Sequence, residues 1–262
     1  MESSFRINNS GVVLVDTSYI NVRGLTNNLI TTLSENPLNA LRELPLDLSY
    51  RFQERSDETL NPKVYGEVLA TEEVETELKE RLRLLKERVN HIQELKQGKH
   101  IRNDGTLSAH IWDERLNPQF SQLTNYLAQF DNIVNYLSDT CPRGTFTPKQ
   151  NDIYYEILAH AEQAKEETQR ENKKRDNPSL GDRLGTDQKI IATAYTLAES
   201  RPVLIKTADW DIHQIAKRTQ ELINNSPPFQ ILLYGVKKPG KKNGKIKTRE
   251  LNPGIEKLRL AS

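Results

Sequence analysis

Apolar residues fall into two patterns along this chain. Short unbroken aliphatic runs, at Gly11–Val15, Pro202–Lys206 and Phe229–Val236, predict buried strands, and Val68-Leu69-Ala70 is a shorter segment of the same kind. Longer stretches repeat apolar residues every three or four positions, which predicts helices that bury one face. The clearest covers Glu72 to Leu95, with Val74, Leu78, Leu82, Leu85, Val89 and Ile92 in one stripe. Others are expected at Leu25–Leu33, Leu38–Leu44, Pro118–Leu137, Pro148–Arg175, Thr186–Ala198 and Ile212–Asn225.

Strands that alternate with helices of this length imply βαβ units and an α/β domain with a mainly parallel sheet of about four or five strands. The long helices between about 90 and 180 have no strands among them, so they are expected to form a helical insertion. Only 35% of residues are hydrophobic and 28% are charged, which requires much solvent-facing helix and loop. Net charge is +1 and gives no global preference for a polyanion. Positive charge is concentrated in one place: Lys237, Lys238, Lys241, Lys242, Lys245, Lys247 and Arg249 fall within thirteen residues broken by glycine and proline. Such an arm suits phosphate contact, and a plain solvated tail suits it equally well.

The single cysteine, Cys141, excludes an intramolecular disulfide, and no apolar run approaches a membrane span. No basic-plus-apolar leader is evident at the start, so a cytoplasmic protein with no membrane partner is expected. The five histidines lack ligand spacing, which argues against zinc or a histidine triad. No glycine-rich phosphate loop is present.

Acidic residues carry the candidate chemistry. Gly11–Val15 runs directly into Asp16-Thr17-Ser18, and Val203-Leu204-Ile205 runs through Lys206-Thr207-Ala208 into Asp209 and Asp211. Ligands of open parallel sheets bind beyond the carboxyl ends of the strands, which is where these acids are expected. Asp187 falls on the apolar face of its helix, in the first turn. Each acid also has a local explanation as a helix cap or first-turn residue. Three together would repel one another unless a cation joined them, and all-oxygen ligands favour Mg²⁺ or Mn²⁺.

The run Val-Leu-Val-Asp-Thr-Ser at 13–18, Val-x-x-Glu-Leu at 74–78, Thr-Asp-x-x-Ile-x-Ala-x-Ala at 186–194 and Leu-Ile-x-Thr-x-Asp-x-Asp at 204–211 resemble, in order, the acidic motifs of PIN-domain nucleases. The resemblance implies a three-layer α/β/α core at 1–90 plus 180–236, a helical insertion at 91–179 and a basic tail at 237–262. It also implies a metal-dependent nuclease in which Asp16, Glu77, Asp187 and Asp209 are catalytic and, with Asp211, hold Mg²⁺ or Mn²⁺. Thr17 and Thr207 would be supporting hydroxyls. Such an ion lowers the pKa of a bound water and neutralises charge on the scissile phosphate.

Glu77 lies at the border of its helix's apolar stripe, with Glu73 and then Glu67 as alternatives. Lys189 and Lys206 are expected as surface lysines, with nucleic-acid contact the second reading. By family habit RNA is favoured over DNA as the partner, and a homo-oligomer or a regulatory protein partner stays open. The alternatives to a nuclease are a PIN-like scaffold or binding module without catalysis, and a helical interaction protein whose acids are caps.

Overall fold

A computed structural model describes residues 11–20, 25–49, 52–53, 66–97, 112–174, 185–224 and 229–233. The basic arm, with Lys237, Lys238, Lys241 and Lys242, lies outside them. The described residues form an α/β protein that is mostly helical. In chain order the elements are β1 (Val12–Val15), α1 (Thr17–Ile20), α2 (Leu25–Glu35), α3 (Pro37–Arg42), β2 (Glu67–Leu69), α4 (Glu72–Lys96), α5 (Asn117–Leu137), α6 (Pro148–Lys174), α7 (Thr186–Ala198), β3 (Val203–Thr207), α8 (Trp210–Ile223) and β4 (Phe229–Leu233). Single turns of 3-10 helix at Glu114–Leu116 and Pro142–Thr145 precede α5 and α6.

The four strands are all parallel, in the order β2-β1-β3-β4. All residues of β1 and β3 are buried, and these are the two interior strands of the sheet. That burial explains why they read as continuous aliphatic runs instead of alternating patterns. The register sets Val15 beside Lys206, so Asp16, just past β1, comes beside Thr207, the last residue of β3.

The chain divides into two compact units. The first comprises Met1–Arg23, Asn61–Glu75 and Leu137–Ser262 and contains the whole sheet. The second comprises Gly24–Leu60 and Thr76–Tyr136. The anticipated limits of the insertion, 91 and 179, do not coincide with this division. Helix α6, anticipated within the insertion, packs against α7 and α8 in the first unit. Its apolar positions Tyr154, Ile157, Ala161 and Ala164 are buried.

In the second unit the predicted stripe of α4 is realised, with Leu78, Leu82, Leu85, Val89, Ile92 and Leu95 all buried. Phe52, Tyr126 and Phe130 form an aromatic cluster there, the closest ring centroids 4.7 Å apart. The hydroxyls of Thr26 and Tyr126 are hydrogen-bonded at 2.6 Å, so the one polar atom of that cluster is satisfied. No helix among the described residues is long and apolar enough to cross a membrane.

Candidate functional site

The strand order 2-1-3-4 means that the chain builds outward from β1 on one side, then returns to build outward on the other. The crevice at the carboxyl ends of β1 and β3 is therefore the switch point of the sheet, where open α/β sheets place their ligands. Asp16 follows β1 directly, and Asp209 follows β3 after Ala208.

Hydroxyl groups bind the two strand ends together. The Asp16 amide donates to the Lys206 carbonyl at 2.9 Å. Thr207 Oγ1 donates to Asp16 Oδ2 at 2.8 Å and accepts from the Asp209 amide at 2.9 Å. Asp16 Oδ2 also accepts from the Ser18 amide at 3.2 Å and from the Ser18 hydroxyl, whose oxygen in turn accepts from the Ala208 amide at 2.9 Å. Asp16 is only 5% exposed, and these donors supply the compensation that a carboxylate needs out of water.

Thr207, one of the two threonines named as supporting hydroxyls, is bonded to Asp16. Ser18, which the sequence reading passed over, supplies the second hydroxyl. Thr17, expected in that role, is buried with no hydrogen-bond partner for Oγ1 among the described residues. A serine two residues after a strand-terminal aspartate was the available signal, because that spacing suits a side-chain turn onto the backbone.

Replacing Thr207 by Val keeps the shape but removes the bonds to Asp16 and to the Asp209 amide and a third, to the Ser18 hydroxyl at 3.1 Å. The first unit is expected to lose about 1–3 kcal/mol, with Thr207→Ser recovering part of it, as read from urea unfolding. An unchanged midpoint for the valine variant would refute the role assigned to this hydroxyl.

Asp209 is the N-cap of α8: its Oδ1 accepts from the Asp211 amide at 2.8 Å. The helix starts at Trp210, two residues before the periodicity predicts, because the cap is Asp209 and not Asp211. Asp211 is left in the first turn, half-buried. Burial raises its pKa, the neighbouring Asp209 charge adds to the rise, and Lys165 of α6 opposes it. Its carboxyl therefore holds a proton more tightly in the fold than in the unfolded chain. This contribution to stability is present at low pH and is lost as pH climbs from the ordinary aspartate range through the raised value. In metal-free buffer, the melting temperature of Asp211→Asn relative to the unmodified chain is accordingly expected to climb between about pH 4 and pH 7. A flat difference across that interval would sink the claim.

Asp187 lies in the first turn of α7, half-buried between the buried Thr186 and Gln188. Gly185 caps the helix in the left-handed region at φ 69°, a conformation that favours glycine. Two contacts locate this helix start. Lys189 pairs with Glu73 at 2.6 Å, and Lys165 donates to Gln188 at 3.3 Å. Glu73 is in the first turn of α4, just past the carboxyl end of β2, so α7 begins at the same sheet edge as the other acids.

Several expectations need correction. Lys206 is not on the surface: it is fully buried, with Nζ 3.4 Å from the Tyr19 hydroxyl and 5.1 Å from the ring centroid. Its position in an interior strand is why the surface place expected of it is not found. Lys189 is held by Glu73. Glu77 belongs to the second unit, where it pairs with Arg81 at 3.5 Å, and Glu73 is the helix acid found in the first unit beside α7. Glu67 is level with Val12, at the amino end of the sheet, and pairs with Arg201.

The edge therefore unites Asp16 and Asp209 through Thr207, and Asp209 with Asp211 through a cap and mutual charge. Among the described residues no group of three or more His, Cys, Asp or Glu side chains is arranged to hold a metal ion. As placed, the carboxylates do not form a ready ligand set. No family model, no curated protein and no solved structure matches the chain.

Proposed function

We propose that this protein is a metal-dependent nuclease with a PIN-like, three-layer α/β/α core, acting on RNA in preference to DNA. The observation that supports it is the meeting of Asp16 and Asp209 at the switch point of a parallel sheet, with Asp187 opening a helix at the same edge. Side chains with this placement are suited to act on a ligand beyond the strand ends. Asp16, Asp187 and Asp209 are the carboxylates the reading relies on, with Asp211 beside them. The glutamate of the motif is Glu77, with Glu73, which pairs with Lys189 in the first unit, as its alternative.

On this reading Mg²⁺ or Mn²⁺ is held by these carboxylates and binds only to the folded chain. The consequence is measurable. Mn²⁺ is expected to raise the melting temperature of the full chain and to switch on cleavage of generic RNA that EDTA abolishes. If neither occurs, the nuclease reading is wrong.

A second reading, a PIN-like scaffold or binding module without catalysis, is favoured by the lack of a three-carboxylate group among the described residues. It predicts nucleic-acid binding with no dependence on a divalent ion.

A further inference from the structure

The first unit also holds a cation–aromatic group that its acids do not explain. Arg143 sits in the 3-10 turn that leads into α6, and Tyr154 and Tyr155 follow in the second turn of that helix. The Arg143 guanidinium donates to the Tyr155 hydroxyl at 2.7 Å. Its central carbon lies 5.2 Å from the Tyr154 ring centroid and 5.6 Å from that of Tyr155. The two rings meet edge to face at 5.4 Å.

Tyr154 is buried and anchors the group, whereas Tyr155 is 54% exposed. Among the described residues no carboxylate forms an ion pair with Arg143. Glu73 nevertheless lies close enough to act on the charges of both Arg143 and Tyr154. Glu73 in turn pairs with Lys189 of α7.

We infer that Arg143 and Tyr155 form a platform for single-stranded nucleic acid, with a base stacked on the open face of Tyr155 and a phosphate on the free donors of Arg143. The inference rests on the nuclease reading for what the strand meets next, but the binding step stands apart from it. An acidic edge repels a polyanion, so a substrate needs a cation nearby. Among the described residues Lys206 is buried, Lys189 is held by Glu73 and Lys165 is engaged with Gln188, whereas Arg143 pairs with no carboxylate and is suited to the task. A guanidinium has five N–H donors, and the tyrosine hydroxyl uses one.

The tyrosine ring is held on one side by Arg143 and on another by Tyr154, so stacking costs little further ordering. A ring of this kind accepts any unpaired base, and a duplex hides the faces it needs. The occupant is therefore a single strand bound with little sequence preference.

Fluorescence anisotropy on the full chain, in EDTA so that nothing is cleaved, tests this. The probes are labelled RNA oligonucleotides of about 12 nucleotides and abasic strands of the same length. Tyr155→Ala is expected to weaken RNA binding about tenfold and abasic binding hardly at all, while Tyr155→Phe stays near the parent. Arg143→Ala is expected to weaken both and to lower the slope of affinity against salt by about one ion. The proposal is overturned if the parent binds no RNA, if Tyr155→Ala binds as the parent does, or if it loses as much on abasic strands. It is overturned too if an acidic peptide binds through Tyr155 and RNA does not. Circular dichroism confirms that the exposed substitution leaves the fold intact. Cleavage in Mn²⁺, measured separately, reports on the nuclease reading: binding through Tyr155 without cleavage would keep the platform and remove the nuclease.

Discussion

Cleavage of generic RNA in Mn²⁺ is expected to fall by about three orders of magnitude when Asp16 and Asp187 are both replaced by Asn, and the Mn²⁺-induced rise in melting temperature is expected to vanish with it. The size follows from the several kcal/mol that a bound ion contributes to charge stabilisation, at about 1.4 kcal/mol per factor of ten. Ion binding at a hundredfold excess over Kd adds about 2.7 kcal/mol to stability, so its loss is visible in a melting curve. The substitutions should do little to the ion-free fold. Asn at position 16 keeps an oxygen that can accept from Thr207 and Ser18, and a first-turn acid such as Asp187 contributes about 0.3–1 kcal/mol through the helix dipole. Melting in EDTA separates the two effects. If the double variant still shifts with Mn²⁺, or still cleaves, these aspartates are caps and nothing more.

Replacing Leu14 by Ala is expected to cost about 2–5 kcal/mol, the range for emptying a leucine site in a core. Leu14 is 0% exposed in β1, which is paired with β2 on one side and β3 on the other, so neither neighbour can move in to close the cavity. Against a total stability of about 5–15 kcal/mol the loss is large, and the melting point of the first unit should drop by about 10 °C. The two tryptophans make the measurement specific, because Trp112 belongs to the second unit and Trp210 to the first. In a Trp112→Phe background, Trp210 fluorescence follows the first unit alone. Leu46→Ala is the control: that side chain is 60% exposed and its removal should stay within about 0.5 kcal/mol. A loss below about 1 kcal/mol for Leu14→Ala would contradict the central place given to β1.

Secondary structure was largely legible because this chain signals it locally. The aliphatic runs became β1, β3 and β4, the stripe beginning at Val74 became α4, and the Thr186–Ala198 helix has the predicted limits. The start of α8 differed by two residues because two aspartates compete for one cap, and only the backbone path after Thr207 decides which side chain reaches an amide. Parallel pairing was also legible, since alternating strands and helices leave few other arrangements.

The residues around the site were harder to read. Lys206 looked like a surface cation because lysine is almost never fully buried, yet the neighbouring strands and Tyr19 enclose it. Glu77 and Glu73 lie four residues apart on one helix face and cannot be told apart by periodicity. The division of α4 falls between them, and only the structure shows that Glu73 is the one paired with Lys189. The Arg143–Tyr155 pair had no motif to announce it, because it joins a turn to a helix through contact alone.

The sequence by itself therefore determined the elements, their order and the three aspartates at strand ends and a helix start, all of which depend on spacing along a few neighbouring residues. Only the tertiary structure decided the strand order, the hydroxyls that hold Asp16, the burial of Lys206 and the company of Glu73. Those depend on which distant segments meet: Thr207 reaches Asp16 across 191 positions of chain, and no local pattern encodes a contact of that separation.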